Sequence, residues 1–140
     1  MISMPSIATV GSEIRKFTAY DFIQWVQKNR DGDEIDDDTA NAEITGEVTN
    51  GSSKLFIEGR AAARLGDHTS ENARALSRPE GSRWSIKNPT YGNGIITENV
   101  STKVYVEGQP IAFIGSMVTS FADSEEIPLV TGSTKCFTVF

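Results

Sequence analysis

The sequence predicts a mainly β fold in which three similar β-hairpin units form a ring with pseudo-threefold symmetry. The first observation is an internal repeat: residues 52–67 align with residues 101–116 at a constant offset of 49 positions. Six of the sixteen aligned positions are identical, and four more exchange one β-forming side chain for another. The second observation is an incomplete third copy, which begins at residue 132 and repeats the residues from 51 onward at an offset of 81.

Each complete copy has the pattern of a β-hairpin. A strand of β-branched and aromatic residues leads to an acidic residue and a glycine, and a second short strand follows and ends at another glycine. An acidic residue followed by glycine between two such strands is typical of a tight hairpin turn. We therefore expect Gly59 and Gly108 to supply a positive φ, which other residues adopt only at a cost.

The third copy is divided between the two ends of the chain. Residues 132–140 stop at the turn, and residues 7–12 match the missing second half at 62–67 and 111–116. Half a hairpin leaves backbone groups unpaired, so we expect the first and last strands to pair and close a ring with pseudo-threefold symmetry. The alternative is a twisted antiparallel sheet in which the repeat is an accident of β composition.

Two insertions separate the predicted hairpins, at about residues 13–45 and 68–93. In the first, Thr18 can cap a short helix. The apolar residues of that helix would fall at i, i+3, i+4 and i+7, namely Ala19, Phe22, Ile23 and Val26. The second insertion is dense in turn-forming residues and predicts an irregular loop, with at most one short helix near residues 71–76.

Composition narrows the classes of function. The 140 residues fit a single domain, 1–140, and 19 acidic against 13 basic residues give a net charge of −6. No Lys/Arg block is present, so nucleic acid is not an expected partner. The first residues lack the pattern of a signal peptide, and no apolar stretch has the length of a membrane span, so we expect synthesis in the cytoplasm as a soluble protein.

Few side chains are available for chemistry. The single cysteine, Cys136, cannot form an internal disulfide, and His68 is the only imidazole. No Gly-x-Ser-x-Gly elbow presents a nucleophile, so we predict no catalytic residue and no enzyme. The acidic segment 31–38 lacks the spacing of an EF-hand and predicts a solvated loop, which could also be a docking surface.

Residues 59–67 resemble a known signature. In the PAAR-repeat family, Pro-Ala-Ala-Arg is followed by an apolar residue, Gly and Asp; here Ala61 replaces the Pro, and Ala62-Ala63-Arg64-Leu65-Gly66-Asp67 follow. Residues 50–57 are similar to the strand that precedes this signature in the family. The second copy departs further, with Phe113 for Arg and Ser116 for Asp. The chain resembles a divergent member, and with all three copies the resemblance covers roughly half of it.

The resemblance implies a mechanical function. Family members are β-rich cones that cap the blunt end of a trimeric β-helical spike, one copy per trimer, and help it to puncture a target envelope. It implies a place at the tip of a phage tail baseplate or a related contractile injection machine, type VI secretion included, with transient contact with the target membrane. In such a machine, the insertions, with the acidic segment 31–38, could dock cargo or another baseplate protein. The positions that carry the repeat motif are Ala8, Gly11, Gly51, Gly59, Ala62, Ala63, Arg64, Gly66, Asp67, Gly108, Pro110, Ala112, Gly115 and Gly132.

The zinc site that the family commonly has is not expected here. Its ligands are three histidines and a cysteine, and the corresponding positions hold Ser52, Ser101, Ser133, Glu13, Ile14, Met117 and Val118. His68 lies one position off that pattern and is the remaining candidate ligand. Because the other ligand positions of the family are not filled, no cofactor is predicted. Two alternatives stay open: a small metal-assisted hydrolase, which would need Asp67, His68 and Cys136 to converge, and a generic β-sandwich binding module.

Overall fold

A computed structural model describes residues 6–98, 104–122 and 126–132 and shows an all-β protein, with no helix in this part of the chain. The prediction of a mainly β fold is confirmed. The strands in chain order are β1 Phe17–Lys28, β2 Glu34–Val48, β3 Phe56–Ile57, β4 Arg60–Ala61, β5 His68–Ala75, β6 Trp84–Ile86, β7 Tyr91–Glu98, β8 Tyr105–Val106, β9 Gln109–Pro110, β10 Met117–Thr119 and β11 Glu126–Pro128.

The main body is one seven-stranded sheet, curled into a half-barrel, with the strand order β11-β10-β7-β5-β2-β1-β6. All strand pairs in it are antiparallel. The sheet curls far enough that the residues before β1 reach its other side: Ile14 forms a bridge with Leu129, and the Val130 N–H donates to the Glu13 carbonyl at 2.8 Å. The curled sheet is therefore closed at the end that adjoins the hairpins.

Two small hairpins, β3–β4 and β8–β9, lie at the predicted positions. Both central turn residues have positive φ: 54° at Glu58 and 79° at Gly59, 53° at Glu107 and 80° at Gly108. This is the type I′ geometry, whose twist matches that of the flanking strands. The glycines carry the expected positive φ, and the preceding glutamates share the left-handed region.

The predicted helix in the first insertion is wrong, because this segment is the twelve-residue strand β1. Ala19 pairs with Ala42 and Ile23 pairs with Ala40, so an advance of four residues along β1 lies opposite an advance of only two along β2. This bulge places Asp21 at a φ of 55° and exposes it, although strict alternation would turn it inward. The apolar side chains that remain inside are consequently spaced as on a helix.

The prediction of an irregular loop at 68–93 is also wrong, because β5, β6 and the start of β7 lie there. The alternation of β5 is hidden by its composition, since its two fully buried side chains are Thr69 and Glu71. The Glu71 carboxylate accepts hydrogen bonds from the hydroxyls of Thr69 at 2.6 Å and Ser120 at 2.5 Å. A Cβ on Gly94 would lie 2.1 Å from Glu71 Oε2, so a glycine is required beside this carboxylate. Both segments predicted as insertions are thus strands of the main sheet.

The buried apolar side chains form two clusters. The larger fills the curled sheet and includes Ile23, Ile44 and Val118. The smaller lies beneath the hairpins and consists of Ile7, Ala62, Ile111 and Phe113. Among the described residues, no helix is long and apolar enough to cross a membrane.

Two tryptophans fix the connection between β5 and β6 to the sheet. The indole N–H of Trp25 donates to the Ser77 carbonyl at 3.1 Å, and that of Trp84 donates to the Glu80 carbonyl at 3.1 Å. Arg78 stacks over the Trp25 ring at 5.9 Å. These aromatic side chains therefore anchor the connection rather than forming a free surface.

Candidate functional site

Three alanines, one from each copy of the repeat, form a closed ring of backbone hydrogen bonds. The Ala8 N–H donates to Ala112, the Ala112 N–H donates to Ala63, and the Ala63 N–H donates to Ala8, each at 2.9 Å. All three side chains are fully buried. Alanine is small enough to let the three backbones approach this closely, so the ring joins segments that are far apart in sequence.

A tight corner follows each alanine. The corners contain Gly11, Gly66 and Gly115, with φ values of 94°, 90° and 96°. In each corner, a backbone N–H donates to the carbonyl three residues earlier, and the same residue's side-chain oxygen accepts from that earlier N–H. The residues paired in this way are Thr9 with Ser12, Arg64 with Asp67, and Phe113 with Ser116.

The corners also join the sheet in the same manner. The N–H groups of the three corner glycines donate to the carbonyls of Val48, Ile96 and Leu129, each at 2.9 Å. These three acceptors are buried and occupy equivalent places on β2, on β7 and just after β11. One hydrogen-bond pattern is thus present three times in the described residues. The strand predicted at 133–140 lies outside them, so the third hairpin and the cone stay predictions.

The strand-opening position of the repeat, which Gly51 and Gly132 occupy in two copies, needs a glycine. A Cβ on Gly51 would lie 2.6 Å from the Ala62 carbonyl oxygen, and one on Gly132 would lie 2.9 Å from the Ile7 carbonyl oxygen. Ile7 and Ala62 are equivalent in the repeat, so the same close approach occurs in two units. Neither position has room for a larger residue without a backbone shift.

A carboxylate joins the two hairpins. Glu107, in the second turn, accepts hydrogen bonds from the Ser52 hydroxyl at 2.5 Å and the Ser53 N–H at 2.8 Å, and it lies 3.5 Å from the Arg64 guanidinium. The Ser52 hydrogen bond, followed by those from Ser53 and the charge of Arg64, lowers the pKa of Glu107, with partial burial opposing the shift. We call this group the Glu107 clamp.

Arg64 connects the clamp to its own corner. Its guanidinium contacts the Asp67 carboxylate at 3.1 Å and donates to the Gly51 carbonyl at 3.4 Å. The hydrogen bond to Asp67 raises the pKa of Arg64. The motif residues Arg64 and Asp67 are therefore held together as a structural ion pair that faces the second hairpin.

Each described hairpin presents one aromatic ring to solvent. Phe56 is 57% exposed and Tyr105 is 58% exposed, and the repeat places them at equivalent positions. Their neighbours Ile57 and Val106 pack instead on the smaller core cluster. We define the hairpin face as residues 55–61 and 104–110. Its inner side holds the fold together, and its outer side offers two exposed aromatic rings.

Within the part of the chain that the structure describes, the candidate metal residue His68 does not belong to a ligand set. His68 begins β5 with an exposed side chain, and its N–H donates to Asn50 Oδ1 at 2.7 Å. The Asp67 carboxylate is directed to Arg64 and Asn50. In the ranges that the structure describes, no group of three or more His, Cys, Asp or Glu residues is placed to hold a metal ion. Cys136 lies outside those ranges, so its convergence with His68 stays untested.

The acidic segment differs from its prediction as a loop. Residues 29–33 form the turn, and the segment from Glu34 onward belongs to β2, where it pairs with β1. All side chains of residues 31–39 are exposed.

Two features of the hairpin region were not predicted from the sequence. One is the alanine ring and the other is the Glu107 clamp. The sequence does contain a signal for the clamp, because Glu58 and Glu107 occupy one of the six identical positions of the repeat.

No protein-family model matches the chain, and no curated protein matches it. The PAAR resemblance therefore depends on the residues quoted above.

Proposed function

We propose that this chain is a spike tip protein, which caps the trimeric central spike of a phage tail baseplate or a related contractile injection machine and helps it to puncture the target cell envelope. The observation that carries the proposal is the ring of Ala8, Ala63 and Ala112, with the corner pattern repeated around it. No catalysis and no cofactor are part of this function.

The repeated geometry suits a partner with a true threefold axis. A trimeric spike ends in three identical surfaces, and one chain can contact all three equally only if it presents three similar surfaces of its own. The three corners have the same glycine conformation and the same hydrogen bonds, so they orient the repeated units in the same way around the alanine ring. This supports one tip chain for each spike trimer.

The hairpin face is the proposed docking surface. Phe56 and Tyr105 are large, exposed and placed equivalently, and aromatic side chains supply much of the binding energy at protein interfaces. The two-residue strands of the hairpins could also extend the strands of the spike through main-chain hydrogen bonds. The main sheet would then point away from the spike, toward the target membrane, cargo or other baseplate proteins.

A binding assay with the trimeric spike encoded beside this chain tests the proposal. The double variant F56A/Y105A should lose most of its retention on immobilised spike, because each interface hot spot contributes about 2 kcal/mol or more. A matched control, Y20A/Y91A, removes two exposed tyrosines of the main sheet, which are 78% and 73% exposed. Equal retention of wild type and F56A/Y105A, or equal loss in the control, would contradict docking through the hairpin face.

A further inference from the structure

One long strand edge of the main sheet has no strand beside it in the described part of the chain. β2 pairs with β5 only over Ala42–Val48, and the remainder of β2, residues 34–41, has β1 on its other side alone. The last hydrogen bond on the β5 side is from the Leu76 N–H to the Asn41 carbonyl at 2.9 Å. We call residues 34–41 the free edge.

A free edge of this length can recruit another strand. Its outward N–H and C=O groups form a template for pairing, and a second copy of the same chain is the strand most available to it. Residues 34–39 are exposed on both faces, so no side-chain packing opposes the approach of such a strand. Unless something blocks this edge, copies of the chain would therefore be prone to associate along it.

Two carboxylates occupy two of the outward N–H groups of the edge. The Asp37 N–H donates to Asp36 Oδ1 at 2.8 Å, and the Thr39 N–H donates to Asp38 Oδ1 at 2.8 Å. Backbone groups in an antiparallel strand alternate in direction, so residues 37 and 39 point the same way as Asn41, whose carbonyl faces the β5 side. Two successive donors that an added strand would need are consequently already used.

The charge of the protein is concentrated at the same place. Residues 31–38 contain six acidic and no basic residues, and the other thirteen acidic residues balance the thirteen Lys and Arg residues of the chain. The net charge of −6 is thus the charge of this segment. Two copies paired along the edge would place carboxylates opposite carboxylates, which destabilises strand pairing.

We propose that the aspartates of β2 keep the free edge from pairing with a second copy of this chain. Asp36 and Asp38 occupy the outward N–H groups of residues 37 and 39, and the segment 31–38 adds charge repulsion. This inference concerns β2 and stands apart from the proposed docking through the hairpin face. A spike tip would benefit from it, since one copy and not a chain of copies fits each trimer.

Light scattering coupled to size exclusion tests the inference at pH 7. The variant D36A/D37A/D38A removes both the charge and the acceptor oxygens, and it should shift to a dimer or a larger species at concentrations where the wild type keeps its mass. The matched control E47A/E80A/E98A removes the same charge from exposed positions off the edge and should keep the wild-type mass. A third variant, D36A/D37P/D38A, has the same charge as the first but lacks the outward N–H at position 37, and it should return to the wild-type mass.

Amide hydrogen exchange locates the contact. In D36A/D37A/D38A, the amides at positions 37 and 39 should exchange more slowly as the protein associates, even if the proline variant proves unstable. The inference is overturned if the triple alanine variant keeps the wild-type mass, if the control associates equally, or if the amides of the free edge show no added protection.

Discussion

The carboxylate of Glu107 accepts a 2.5 Å hydrogen bond from the hydroxyl of Ser52, 55 positions earlier in the chain. Ser52 is almost fully buried, and its oxygen also accepts from the backbone N–H groups of Lys54 and Leu55, each at 3.0 Å. One hydroxyl thus shapes the entry to the first hairpin and ties it to the turn of the second. The relationship links two copies of the repeat directly.

Removing the Ser52 hydroxyl should destabilise the protein. We expect S52A to lower the free energy of unfolding by about 1–3 kcal/mol, because two backbone N–H groups and Glu107 lose a partner at a buried position. Urea denaturation measures this. S53A is the matched control, since Ser53 is exposed and its hydroxyl donates to Glu107 at 3.1 Å, and its effect should be smaller. Equal effects of the two substitutions would show that Ser52 has no special role.

The Glu107 clamp should also make stability depend on pH. The pKa of Glu107 is lowered in the folded protein, so its contribution is present above the unfolded value of about 4.3 and is lost as the pH falls through the lower folded value. Compared with E107Q, the wild type should therefore lose more stability on acidification below about pH 4. Thermal unfolding of both proteins between pH 3 and 7 measures the difference, and parallel profiles would contradict the clamp.

The buried carboxylate of Glu71 should be essential to the main sheet. We expect E71A to cost about 2–4 kcal/mol, because it opens a cavity and leaves the hydroxyls of Thr69 and Ser120 without their acceptor. E71Q keeps the volume and one acceptor oxygen, so it should cost less. Chemical denaturation of both variants checks the order, and an E71A protein as stable as the wild type would exclude this role.

Two glycines allow the stability cost of a steric clash to be compared with the cost of an unfavourable backbone conformation. We expect G51A to cost more than about 2 kcal/mol, since its Cβ would lie 2.6 Å from the Ala62 carbonyl oxygen. G32A has open space around the new Cβ and only a positive φ of 85°, so about 1 kcal/mol is expected. Thermal unfolding ranks the two variants. A larger loss in G32A would show that the repeat does not depend on this close approach.

The parts of the fold with local signals could be predicted from the sequence. An acidic residue and glycine between β-forming residues identify each small hairpin, because the turn conformation is set by adjacent residues. The main sheet could not be predicted in the same way. The bulge at Asp21 gives β1 a helix-like spacing, and the polar inward side chains of Thr69 and Glu71 hide the alternation of β5.

The contacts of the candidate site are long-range, which is why the sequence did not reveal them. The repeat aligns Ala63 with Ala112 but does not show that their backbones meet with that of Ala8 in one ring. Glu107 is visible as a repeated residue, yet its partner Ser52 belongs to the neighbouring unit. Repetition therefore indicates which residues are equivalent, and only the folded chain shows which of them touch.

In the proposed function, one chain with a repeated corner binds a trimeric partner. Native mass spectrometry of this protein mixed with the trimeric spike encoded beside it measures the ratio of the two chains in the complex. The proposed function predicts a complex of three spike chains and one tip chain, even when the tip protein is in excess. A complex with three tip chains, or no complex at all, would contradict it.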